Sequence, residues 1–261
     1  MRKVNHHNTV ERRMSIIKKL TTQDHIFVNE LCKEFGVSEV TIRNDLEQLE
    51  GKKLLVRVHG GAMSLNQIVS YDQHLSEKHK LNIPEKSRIG KAAARLIKNS
   101  DTLFIDSGTT TFEVVKNLDP SLKNVTVISN ALNIINQLLL YPNINLIVPG
   151  GVLRKNSLSL IGPLAEKNLV NFYADKVFLG VDGFDTTKGL STPILEEAYL
   201  NQIMIEYAHE VIVVTDSSKF QRRSLAFICG LNKINKVVTD SGISEIDRKR
   251  LENANVEVII A

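Results

Sequence analysis

The chain contains no apolar run long enough to cross a bilayer. Stretches such as Val211–Val214 are strand-sized, against the roughly 20 consecutive apolar residues of a spanning helix. The first residues, Met1 to His7, are polar and lack the apolar core of a secretory signal, which argues against export. Cysteine is scarce. Cys32 and Cys229 stand far apart and form no metal-ligand spacing, so two reduced, mostly buried thiols are expected, with no metal site and no cofactor. Neither a Walker-type phosphate loop nor a dinucleotide fingerprint is present. These absences predict a soluble cytoplasmic protein. With 261 residues, 43% of them hydrophobic, the chain is long enough for two modest domains with real cores.

Charge of one sign is also in short supply, since the net value is only +4. Its placement is uneven: residues 1–60 hold 11 Lys and Arg against 8 Asp and Glu, and so carry most of the excess. That asymmetry favours a polyanionic partner for the N-terminal part.

The N-terminal part reads as three short helices and a hairpin. Val10, Met14 and Ile17 fall on one face of a first helix. Val28, Leu31, Cys32 and Phe35 give a second, which Gly36 ends through the left-handed conformation open to glycine. Ser38 is placed to cap a third helix, buried through Ile42, Leu46 and Leu49 and stopped by Gly51. Two helices joined by a glycine-containing turn match helix-turn-helix geometry. Leu54 to Ala62, with Arg57, His59 and the Gly60-Gly61 pair, reads as a wing. Thr41, Arg43, Asn44 and Glu47 then point away from the buried face; arginine suits guanine and asparagine adenine in the major groove. Arg12, Arg13, Lys52, Lys53 and Arg57 are the expected phosphate contacts. A solvated helix surface is the plain alternative, and Glu39, Asp45, Glu47 and Glu50 make this helix acidic for a DNA reader. The expected partner is double-stranded DNA. One reading helix spans too few bases for genomic specificity, so a homo-oligomer, at least a dimer, is expected.

A polar stretch from Met63 to about residue 83 reads as a linker. Beyond it, strand-like runs at Thr102–Asp106, Val125–Ser129, Ile144–Val148, Lys176–Val181, Val211–Thr215, Lys236–Thr239 and Val256–Ile260 alternate with helical stretches. That is the pattern of an α/β domain with a mainly parallel sheet, whose ligands bind at the carboxyl ends of strands. Those ends carry Asp106-Ser107-Gly108-Thr109-Thr110-Thr111, Asn130, Gly150-Gly151 with Arg154 nearby, Asp182, and Lys219. A glycine and hydroxyls opening a helix suit an anion. With Lys219 as countercharge and Asp106, Asn130 and Asp182 for hydroxyls, the set suits a phosphorylated sugar. Taken singly, each element also reads as an ordinary cap, loop or surface side chain.

Glu11-Arg12, then Val37-Ser38 with Thr41-Ile42-Arg43-Asn44-Asp45-Leu46, then Arg57-Val58-His59-Gly60-Gly61-Ala62, resemble the signature of the DeoR family of bacterial transcriptional regulators. The likeness runs from Glu11 to Asp240. The commoner family form has a second arginine in place of Asn44, so the operator sequence does not carry over. The resemblance implies a C-terminal domain similar to ribose-5-phosphate isomerase and glucosamine-6-phosphate deaminase. It also implies a phosphosugar effector with its phosphate on Ser107–Thr111 near Lys219, and Glu196 and Glu197 at the same mouth. Within the family the text is closest to AgaR-type repressors of N-acetylgalactosamine and galactosamine catabolism, which implies an amino-sugar 6-phosphate. The rival reading is an active isomerase or deaminase fused to a DNA-binding head. The places of the deaminase carboxylate and histidine hold Pro149-Gly150-Gly151 and Phe184, which leaves Asp182 without a partner for proton transfer. A sensor rather than an enzyme is therefore expected. An architectural DNA-binding protein with no ligand is the third reading, and the anion-suited strand ends argue against it.

Overall fold

The computed structural model describes residues 9–20, 25–52, 54–58, 60–64, 68–69 and 72–261. They fall into two compact units, 1–69 and 70–261.

In the first unit, α1 (Thr9–Leu20), β1 (His25–Phe27), α2 (Val28–Phe35), α3 (Glu39–Gly51), β2 (Leu55–Val58) and β3 (Gly61–Ser64) follow in order, with a two-residue β4 (Ile68–Val69) at its end. β3 pairs antiparallel with both β1 and β2. Gly36 takes the left-handed conformation (φ 65°) and donates its N–H to the Cys32 carbonyl at 3.0 Å. Ser38 Oγ accepts from the Thr41 N–H at 3.3 Å and starts α3. The core is Ile16, Leu20, Ile26, Val28, Leu31, Phe35, Ile42, Leu46, Leu49, Leu55 and Ala62. One expectation fails here. Val10 and Met14 are 65% and 67% exposed, and α1 instead buries Arg12, Ile16 and Leu20. An arginine on the inner face is invisible to an apolar count.

The second unit opens with α4 (Leu75–His79) and α5 (Ile83–Ala94). The first of these lies inside the stretch read as linker. Next come β5 (Thr102–Ile105), α6 (Thr109–Lys116), β6 (Val125–Ser129), α7 (Leu132–Leu138) and β7 (Ile144–Ile147). A hairpin of β8 (Val152–Arg154) and β9 (Ser159–Ile161) leads to α8 (Pro163–Leu169) and β10 (Ala174–Leu179). After β11 (Gly183–Asp185), β12 (Gly189–Thr192), α9 (Leu195–Glu206) and β13 (Ala208–Val214), the chain passes β14 (Arg223–Ser224) and β15 (Ala226–Phe227). It ends in β16 (Lys236–Thr239), α10 (Glu245–Asn253) and β17 (Glu257–Ile260).

Seven of these strands form one parallel sheet in the order β17-β16-β13-β10-β5-β6-β7. Alternation along each strand feeds two cores. Leu103, Ile105, Phe178, Ile212 and Val214 face the layer of α5, α6 and α7. Phe104, Val177, Leu179, Val211 and Val213 face that of α8, α9 and α10. From β5 the chain moves outward through β6 and β7, then returns to the other side of β5 at β10. The sheet therefore has a topological switch point between β5 and β10, where open α/β sheets form their ligand crevice.

Candidate functional site

The reading head comes first. Arg43, Asn44 and Glu47 are exposed and Thr41 half-buried on the outer face of α3. Arg43 Nη2 donates to Glu39 Oε2 at 2.8 Å, one turn back. Asp45, on the opposite face, is 2% exposed and accepts from Arg12 Nε at 2.5 Å and Arg13 Nε at 2.7 Å. This corrects the assignment of Arg12 and gives Arg13 a structural partner. Arg12 is buried and cannot reach a phosphate from there, and Arg13 is held on the same carboxylate. Both brace α3 from behind, and their charge cancels the Asp45 charge that made the helix look acidic. Glu50 is occupied too, accepting from the Arg57 N–H at 2.9 Å. Exposed cations remain at Lys52 and Arg57. Lys53 and His59 lie outside the described residues.

At the switch point of the second unit lies a cavity of about 310 Å³. Asp106, Ser107, Gly108, Thr109 and Thr110 line it from the end of β5 and the start of α6, Gly180 and Asp182 from the end of β10, and Glu197 from α9. Lys219, on the 3-10 turn Ser217–Lys219 after β13, completes the expected part. Gly180 sits close to this loop, a Cβ built on it lying 3.8 Å from the Ser107 carbonyl. The first turn of α6 leaves backbone N–H groups at the cavity, as any helix start does.

Five expected effector residues do not line this cavity. Thr111 is fully buried, and its hydroxyl donates to the Gly108 carbonyl at 3.1 Å, closing the start of α6. Asn130 donates to the Leu160 carbonyl at 3.2 Å and ties β6 to the hairpin. Gly150 and Gly151 have φ of 77° and 122°, and a Cβ on Gly151 would lie 2.7 Å from the Ile161 carbonyl. They are glycine to form the hairpin. Arg154 pairs with Asp72 and with Glu197 Oε1 at 2.9 Å, so it positions Glu197 from outside.

Other lining residues carry no signal from their neighbours in sequence. Gln73, Leu75, Lys78, Leu81 and Asn82 come from the supposed linker, Lys86 from α5, and Asn201 from α9. Asp216 and Arg222 flank the turn that holds Lys219. Asp182 is thus not the lone carboxylate expected, for Asp106, Glu197 and Asp216 share its cavity.

The charges are strongly coupled. Lys78 Nζ lies 2.6 Å and Lys219 Nζ 4.0 Å from Asp182 Oδ1. Burial alone would raise the Asp182 carboxyl, but these two ammonium groups outweigh it and hold it below the usual carboxylate value. Asp106 goes the other way: burial pushes it well above the usual value, and the nearby Glu197 charge adds to this. Its protonated form can donate to a ligand oxygen. Lys86 is lowered to about 8, mainly by burial; Asp216 and Asp182 oppose this, and Lys219 and Lys78 add repulsion. Its ammonium donates to the Lys78 carbonyl at 2.5 Å. Burial also lowers Lys219. Asn201 Oδ1 and Asp216 Oδ2 are buried with no hydrogen-bond partner among the described residues. Lys86, Lys219, Arg222 and a helix start can thus take a dianion, while carboxyl and amide groups remain for hydroxyl or amine donors.

Comparison with known proteins bears on both units. Residues 12–68 match the DeoR-like helix-turn-helix domain and residues 81–241 the DeoR C terminal sensor domain. A protein of Escherichia coli O157:H7 described as an aga operon transcriptional repressor is 42% identical, the match covering 97% of this chain and 94% of the relative. The HTH-type transcriptional regulator YulB of Bacillus subtilis (strain 168) is 38% identical over 95% of each chain. Among solved structures, ribose 5-phosphate isomerase A from Methanocaldococcus jannaschii overlaps 53% of this chain and 55% of its own, at 20% identity and a TM-score of 0.40. A DNA-reading head joined to a parallel-sheet sensor unit, matched by family over both parts, makes this chain a member of the DeoR family of transcriptional regulators.

Proposed function

We propose that the protein represses a carbohydrate catabolic operon, one for an amino sugar, and leaves its operator when a phosphorylated sugar fills the cavity between β5 and β10. The observation that carries this reading is the meeting of cations and hydrogen-bond acceptors in that one cavity. Lys86, Lys219 and Arg222 line it together with the Ser107–Thr110 loop, while Asp182, Glu197, Asn201 and Asp216 supply acceptors and the protonated Asp106 a donor. A phosphate fits the first set and sugar donors the second, including the orphaned Asn201 and Asp216 oxygens. The amino-sugar assignment follows the resemblance to AgaR-type repressors, and the sign of regulation follows the E. coli relative's name. Thr41, Arg43 and Asn44 read bases with Ser38 at the helix start, and Lys52 and Arg57 hold phosphates; as a homo-oligomer, the protein presents two heads to paired half-sites.

The test is a thermal-shift panel of phosphorylated hexoses and hexosamines on the full chain, repeated as competition against operator DNA in a gel shift. A hit that stabilises the protein and releases DNA is expected; a panel with no hit overturns the effector assignment. The shared carboxylates of Asp106, Asp182 and Glu197 give an isomerase-like reading one observation in its favour. A turnover assay on each hit decides it, with no product formation expected.

A further inference from the structure

α4 is held in an unusual way. Its five residues bury no side chain, and a helix this short has almost no stability of its own. Besides an edge-to-face contact of His79 with Phe112, 5.8 Å between ring centroids, what fixes it is a set of polar links. Asp72, just before it, pairs with Arg154 and accepts from Asn156 Nδ2 at 2.7 Å. The Leu75 N–H donates to the Asn156 carbonyl at 2.8 Å. Lys78 reaches Asp182 at 2.6 Å, and the Lys78 carbonyl accepts from Lys86 at 2.5 Å. Arg154 in turn holds Glu197 at 2.9 Å. The links thus end on two acceptors that also line the cavity, Asp182 and Glu197.

There is room for α4 to move. The cavity is lined by its Leu75 and Lys78, and a second space of about 530 Å³ by Leu75, Ser76 and His79 together with His74, Phe112 and Leu158. α4 also stands at a telling place in sequence, six positions after Val69, where the first unit ends.

We propose that α4 is a latch that the effector opens. A ligand whose hydroxyl or amine engages Asp182 and Glu197 takes the acceptors from Lys78 and from the Arg154–Asp72 pair, and α4 detaches. This rests on the effector reading of the same cavity. Detachment lengthens the chain leading to the reading head, since five residues passing from helix to extended chain gain roughly 9 Å. The ligand shifts this equilibrium only because it binds the latched and unlatched forms differently.

Hydrogen exchange on the full chain, followed by mass spectrometry, tests the latch without any ligand. Lys78→Met keeps the apolar stem and removes the ammonium; Asp182→Asn removes its acceptor charge. In each, amides of residues 72–82 are expected to exchange about tenfold faster than in the native protein, with peptides over β5 and β6 unchanged. Unchanged exchange at 72–82 in both variants overturns the proposal. A second arm adds galactosamine 6-phosphate to the native protein. Protection of residues 107–116 together with faster exchange at 72–82 supports the latch, whereas protection of both segments overturns it. If no sugar phosphate of the panel protects 107–116, the effector reading fails, and the variants alone decide the latch.

Discussion

Behind the reading face, the Asp45 carboxylate holds two guanidinium groups at once. Removing one partner of a buried ion pair leaves the other desolvated and uncompensated, which typically costs about 3–5 kcal/mol. Asp45→Ala should therefore unfold the head well below the melting temperature of the native chain, as read by circular dichroism of the helical signal. A shift of less than a few degrees would mean that Arg12 and Arg13 find other partners. Arg43 should behave oppositely. It is 62% exposed on its side chain and, among the described residues, its one ion pair is within its own helix, so Arg43→Ala should leave stability alone. Its cost should fall on discrimination, about 1–3 kcal/mol for a bidentate base contact, measured as the ratio of operator to scrambled-DNA affinity, while sugar-phosphate binding stays intact. Lys86 adds a pH dependence. With its value lowered to about 8, the ammonium is already charged below that pH, and a phosphate meets it without proton uptake. Above about pH 8 binding must first restore the proton, so affinity should fall by up to about tenfold per pH unit until the bound-state value is reached. In Lys86→Met that fall should disappear. A titration giving the same alkaline slope in both proteins would remove Lys86 from the phosphate site.

Between elements, α5 and α6 approach each other closely. A Cβ built on Gly90 would stand 2.5–2.6 Å from the Glu113 backbone and Cβ, so the helices cross where only glycine fits. Gly90→Ala must push them apart and is expected to lose about 1–3 kcal/mol in urea unfolding, with a smaller loss meaning that α5 slides freely. Much at this scale is legible in the sequence, because the buried parallel strands are near-continuous runs of Val, Ile, Leu and Phe, and Gly36 and Ser38 mark the turn. The hairpin β8–β9 and the small sheet β11-β12-β15 are not, since strands of two to four residues leave too little alternation to detect. The misplaced face of α1 has a different cause: Arg12 is buried against Asp45, 33 positions away, which neutralises it. The cavity divides along the same line. Its strand-end loop announces itself by a glycine followed by three threonines, whereas Lys78, Lys86 and Arg222 come from segments whose local pattern says only helix or polar coil. Topology alone brings them to the switch point.

Across the whole molecule, charge is nearly balanced, at +4, so grip on DNA must come from a few placed cations rather than from a general positive field. Each phosphate contact contributes about −0.9 to the slope of log affinity against log salt. In a dimer, Arg57→Ala or Lys52→Ala removes two such contacts and should flatten the slope by about 2. Arg12→Met separates contact from support. Arg12 is buried on Asp45, so its loss should weaken operator binding through the fold of the head while leaving the slope of the remaining folded protein unchanged. Filter binding across 50–200 mM salt with a fixed operator duplex distinguishes these cases. A slope change for Arg12→Met equal to that for Arg57→Ala would show that the head reorganises on DNA and frees its inner arginine. The reading head would then have to be described as induced by its operator rather than preformed.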